Sequence, residues 1–152
     1  MDLRNHFKIA LVYLFIISLL GVILRHFLVS DVPINYKYTL HTHSHVALLG
    51  WIYTALTTLI YSQYLSNRSI VKQYRRLFWF TQITIIGMMI SFSVSGYSIT
   101  SILFSTLFLF ASYRFLHFFL KYTSGEHKNS TSYKWIRASL WFMVISSLGP
   151  WI

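Results

Sequence analysis

Apolar runs of membrane-crossing length, each closed by a basic or turn-forming segment, leave this chain few ways to fold. A helix needs about 20 mostly apolar residues to cross a bilayer. In lipid every backbone polar group must be satisfied internally, which a helix does by itself. Runs of this kind cover about 9–29, 41–65, 77–95, 99–120 and 135–152. Pro33 breaks the first connection, and Gly96-Tyr97-Ser98 reads as a tight turn between the third and fourth runs. Residues are 55% hydrophobic and only 11% charged, against about 25% charged in soluble domains. The expectation is all-α: one integral membrane helix bundle over 1–152, with four to five transmembrane helices. The fifth run is the weak one. Beyond Arg137 it holds fifteen residues and ends Gly149-Pro150-Trp151-Ile152, which reads either as a helix exit or as a chain once longer.

The charges orient the bundle. Lys and Arg number 13 against three acids, a formal charge of +10. Such a balance often means nucleic acid, but here the basic residues sit at the ends of apolar runs, so no nucleic-acid partner is expected. Five spans put Arg4, Lys8, Arg68, Lys72, Arg75, Arg76, Arg114, Lys121, Lys128, Lys134 and Arg137 on one side, with only Arg25 and Lys37 on the other. The positive-inside rule then places the N-terminus in the cytoplasm, in a membrane such as the bacterial inner membrane. A signal peptide is the competing reading of the first run, but no small-residue cleavage site follows it. Asp2, Asp31 and Glu126 all lie outside the apolar runs, so no intramembrane carboxylate carries protons. There are no cysteines, which excludes disulfides, thiolate metal sites and iron–sulfur clusters.

The candidate site is Leu40-His41-Thr42-His43-Ser44-His45-Val46-Ala47-Leu48-Leu49-Gly50-Trp51, with three of seven histidines inside five residues. Ionisable groups in a membrane helix are costly, and imidazole is the commonest transition-metal ligand. At about 100° per residue, His41 and His45 share one face while His43 points almost the opposite way. The same regular geometry puts Ala47, Gly50, Thr54 and Thr57 below His43, all small. Below His45 it puts Leu48, Leu49, Ile52 and Leu59. The small stripe would admit a close helix backbone or a flat macrocycle. The plainer reading is interfacial: histidines at a helix mouth bond water and lipid phosphates. His26, at the outer end of the first run, lies at similar depth. His117 sits near the inner end of the fourth run, one turn from Arg114, and reads as an interfacial residue. His6 and His127 fall in polar segments and carry no functional reading.

The run His43-Ser44-His45-Val46-Ala47-Leu48-Leu49-Gly50-Trp51 resembles the second-helix motif of the haem-copper oxidase and nitric oxide reductase catalytic subunits. More closely, it resembles the small oxidase subunit I-like relatives of that family. The resemblance implies an axial haem ligand at His43 or His45, and a respiratory role in electron transfer or in oxygen or nitric oxide chemistry. The family's catalytic subunit has about twelve helices, and its remaining haem and copper ligands lie in later helices that this chain lacks. Oxidoreductase catalysis is therefore not implied for this chain alone, and no catalytic residue is named. It reads as the N-terminal part of a longer subunit, a degenerate paralogue, or a half-site completed by a homo-oligomer or by other respiratory subunits. Two alternatives stand beside haem. One is copper or zinc held by His41, His43 and His45 at the outer surface, although spacing of i, i+2, i+4 does not close three ligands around one ion on a regular helix. The other is a cofactor-free assembly subunit.

Overall fold

A computed structural model describes residues 3–65 and 70–147 of the chain. Helix α1 spans Leu3–His26 and α2 spans Tyr36–Tyr64. Helices α3 (Val71–Ser95) and α4 (Ile99–Tyr122) form a hairpin, followed by the short α5 (Gly125–Lys128) and by α6 (Thr131–Ser146). No strand occurs among the described residues. The chain is an all-α helix bundle in which α1 to α4 are each long and apolar enough to cross a membrane. α6 has 16 residues, about 24 Å at 1.5 Å per residue and short of a full hydrocarbon core. The expected fifth span runs on to Ile152, and Leu148 to Ile152 lie outside the described residues, as does Arg68.

Local chemistry sets the helix ends. Asn35 caps α2, its side-chain oxygen accepting from the Tyr38 N–H at 3.3 Å. The helix therefore begins five residues ahead of the apolar run, and His41 is in its second turn rather than its first. Ser98 starts α4 with a reciprocal capping box: its hydroxyl accepts from the Ser101 N–H, and the Ser98 N–H donates to the Ser101 hydroxyl at 2.8 Å. Gly96 makes the expected turn with φ +59°, a conformation glycine adopts without steric cost.

Two aromatic-rich clusters fill the bundle. Toward one end Tyr61, Tyr74, Phe78, Phe115 and Phe119 pack with Tyr133 and Leu140 of α6. Toward the histidines Tyr13, Ile17, Val46, Ile85, Met88, Phe92 and Phe108 pack together. Small residues set how close the helices come. A Cβ on Gly87 would lie 2.4 Å from the Phe104 ring, so α3 and α4 meet there. Buried threonines and serines mostly return their hydroxyls to their own helix. Thr42 donates to the Tyr38 carbonyl, Thr58 to Thr54 and Ser91 to Gly87. This lets polar residues sit inside an apolar bundle without partners on other helices.

The unexpected element is in α2. Residues Val46–Tyr53 are π-helical, eight residues directly after His45. The Thr54 hydroxyl donates to the Leu49 carbonyl five residues back, at 3.4 Å. The wider turn changes which residues align. Thr42, Val46, Gly50, Thr54 and Thr58 form one buried row in steps of four. Ser44, Leu48, Ile52 and Leu56 form an exposed row in the same steps. A regular α-helix would swing such a row by about 160° over four steps of four.

Candidate cofactor site at the histidine cluster

The cluster sits on α2 between the cap at Asn35 and the π-helical turn. His41 and His45 face the same wall, as their spacing predicts. The His45 imidazole stacks on Phe92 of α3, with centroids 4.3 Å apart and planes 8° from parallel. His41 meets Tyr97 edge-on at 4.6 Å and lies 6.3 Å from Phe92. Phe92 itself is buried, 1% exposed, and meets Tyr97 edge-on at 5.2 Å. The two imidazoles thus share an aromatic wall supplied by the end of α3 and the turn after it.

His43 turns the other way, toward α1. The ring packs over Gly21 of α1, where a Cβ would lie 3.4 Å from its Cε1, an ordinary van der Waals contact. Its Nδ1 is buried and has no hydrogen-bond partner among the described residues. Neither the adjacent Ser44 nor a carbonyl of the loop before α2 bonds Nδ1. A buried polar atom without a partner costs about 1–3 kcal/mol.

The stripe of small residues is real but belongs elsewhere than expected. Gly50 is not below His43. The π-helical turns carry His43 on to Ala47, Trp51 and Ala55, and put Gly50 in the buried row with Thr42. That row is covered by α1: a Cβ on Gly50 would lie 2.9 Å from the Tyr13 ring. The close partner is an aromatic side chain of α1, so a macrocycle does not fit against Gly50 while α1 is in place.

Between α2 and α3 one hydrogen bond crosses near the cluster, Thr42 to Ser93 at 3.1 Å. His26 ends α1 and is exposed, and no contact joins it to His43 or His45 among the described residues. His117 is exposed on α4. No group of three or more His, Cys, Asp or Glu is placed to hold a metal ion among the described residues. The three-histidine cage is thus not formed, for the reason that the spacing gives: His43 points away from the other two.

His6 departs from the expectation of a polar segment. His6 is buried at 4% exposure and stacks on Phe78 of α3, centroids 3.6 Å apart and planes 7° from parallel. The signal was its register, since His6, Ala10, Tyr13 and Ile17 form the buried face of α1 at spacings of four, three and four. The basic segment around it hid that periodicity.

Compared with family models, with curated proteins and with solved structures, the chain has no match in any of the three.

Proposed function

We propose that this chain is a haem-binding integral membrane protein in which His43 on α2 would hold the haem. The observation that carries the reading is the His43 ring itself. It lies in a membrane helix, against a glycine of α1, with a buried Nδ1 that no described residue satisfies. The eight-residue π-helical segment beside it adds support, because such segments are frequent at functional sites. The resemblance of the 43–51 run to the oxidase subunit I-like motif supplies the identity of the cofactor. Bound there, haem would supply electron transfer or the binding of a diatomic gas, completed by a second copy or by respiratory subunits that bring the remaining ligands.

This chain's own residues do the positioning. The His43 ring packs over Gly21, and the Tyr13–Gly50 contact would keep a macrocycle off the buried row of α2. His41 and His45 are held on the far side of the helix by Phe92 and Tyr97. With the basic ends of the helices on the cytoplasmic side, the cluster lies near the outer surface. The second reading is copper or zinc on His41 and His45, which rests on their shared wall and needs further ligands from a partner.

The test is the visible spectrum of the purified full chain and of single alanine variants at His41, His43 and His45. Loss of the Soret band in His43→Ala alone supports the assignment. Loss in His45→Ala alone moves the ligand to the aromatic side. A wild-type protein without a Soret band after haem supplementation removes the haem reading.

A further inference from the structure

The strongest unexplained feature away from the histidines is a pair of arginines at the opposite end of the bundle. Gln73, Arg76, Leu77 and Phe80 follow one another at i, i+3, i+4 and i+7 on one face of α3. With Arg114 and Phe118 of α4 they line an open groove of about 300 Å³. Its rim is closed by a hydrogen bond from the Tyr122 hydroxyl to the Gln73 side-chain oxygen at 3.3 Å. Arg76, Arg114 and Phe80 are exposed, whereas Phe118 is 4% exposed and forms part of the core.

Arg76 immediately precedes the third apolar run and Arg114 lies inside the inner end of the fourth. Arg76 is five residues into α3, about 7 Å from its start, and Arg114 is eight residues before the end of α4, about 12 Å, at 1.5 Å per residue. These are depths of the headgroup–hydrocarbon boundary, where a guanidinium wants an anion. The chain offers almost none. It has three acids in all, and no ion pair to Arg76 or Arg114 exists among the described residues. Glu126 is exposed in α5, outside the groove. Two guanidiniums above an apolar floor of Leu77, Phe80 and Phe118 complement a molecule with an anionic head and an apolar tail. Guanidinium binds phosphate oxygens bidentately, and basic pockets between membrane helices take anionic lipid headgroups.

We propose that the groove between α3 and α4 is a binding site for an anionic phospholipid, with Arg76 and Arg114 holding its phosphate and Phe80 and Phe118 packing its first acyl carbons. The site is independent of the histidine cluster and of any cofactor there.

The test is native mass spectrometry of the full chain in detergent, titrated with phosphatidylglycerol and, separately, with phosphatidylcholine of the same acyl chains. Inorganic phosphate is added in a third arm. The expected result is one retained phosphatidylglycerol, bound about tenfold more tightly than phosphatidylcholine and not displaced by millimolar phosphate. Arg76→Gln with Arg114→Gln abolishes the preference, while Lys128→Gln with Lys134→Gln keeps it. Helix content by circular dichroism accompanies each variant, and Arg114→Lys serves as a conservative second variant that retains part of the preference. Equal binding of the two lipids by the wild type, an unchanged preference in the double arginine variant, or displacement by phosphate alone overturns the proposal.

Discussion

The His45 imidazole lies flat on the Phe92 ring, with centroids 4.3 Å apart and planes 8° from parallel. This contact fixes the histidine-bearing end of α2 to the end of α3, and the Thr42–Ser93 hydrogen bond lies beside it. Replacing Phe92 by alanine should cost about 3–5 kcal/mol of bundle stability, as for other buried aromatics. Denaturant titration in detergent micelles reads this directly. Phe92→Leu should cost less than half as much. Equal losses would mean that the stacked ring, rather than apolar volume, holds the two helices together.

Gly50 should tolerate substitution far worse than its neighbour. A Cβ there meets the Tyr13 ring at 2.9 Å and Val46 at 3.2 Å, whereas Leu49 is only half-buried. Gly50→Leu should lower recovery of the folded monodisperse protein several-fold, and Leu49→Ala should change it little. Adding Tyr13→Ala to Gly50→Leu should restore part of the loss. A double variant as poor as Gly50→Leu alone would place the clash somewhere other than on Tyr13.

At Gly96 two penalties combine. Its φ of +59° suits glycine, and a Cβ would lie 2.4 Å from the Tyr38 ring. Gly96→Ala should destabilise by about 1–3 kcal/mol from backbone strain, with the steric term added. Tyr38→Ala in the same chain should relieve the clash and leave the strain. Melting in detergent separates the two contributions.

His117 should behave as a spectator. It is exposed on α4, three residues after the equally exposed Arg114. His117→Ala should leave stability within about 0.5 kcal/mol of wild type and leave any Soret band unchanged. A lost band with intact insertion would mean that a cofactor reaches the basic end of the bundle.

The cysteine-free sequence makes orientation easy to test. Asp31→Cys, after α1, should react with an impermeant maleimide in intact cells. Glu126→Cys, in α5, should react only after the membrane is opened. The reverse pattern would invert the orientation that the basic residues give.

The sequence by itself determined the architecture. Apolar length and the scarcity of charges within the runs point to α1 to α4, because a helix satisfies its backbone hydrogen bonds in lipid within a single segment. Turn chemistry was legible too, at Pro33, at Gly96 and at Ser98. The opposition of His43 to His41 and His45 follows from helical spacing and holds in the structure. The tertiary structure decided what lies beneath each histidine. A period of 3.6 residues does not reveal that Val46–Tyr53 widens to a π-helical turn, a segment that packs against α1 and α3 and sets Tyr53 edge-on to Phe108 of α4. The same packing assigned Gly50 to Tyr13 instead of to a macrocycle, and stacked His45 on a phenylalanine 47 positions further along the chain. It also drew the buried His6 out of a segment whose composition reads as polar. Local sequence sets each helix and the way its side chains radiate; which neighbour meets them depends on contacts between distant parts of the chain, and those exist only once the bundle has closed.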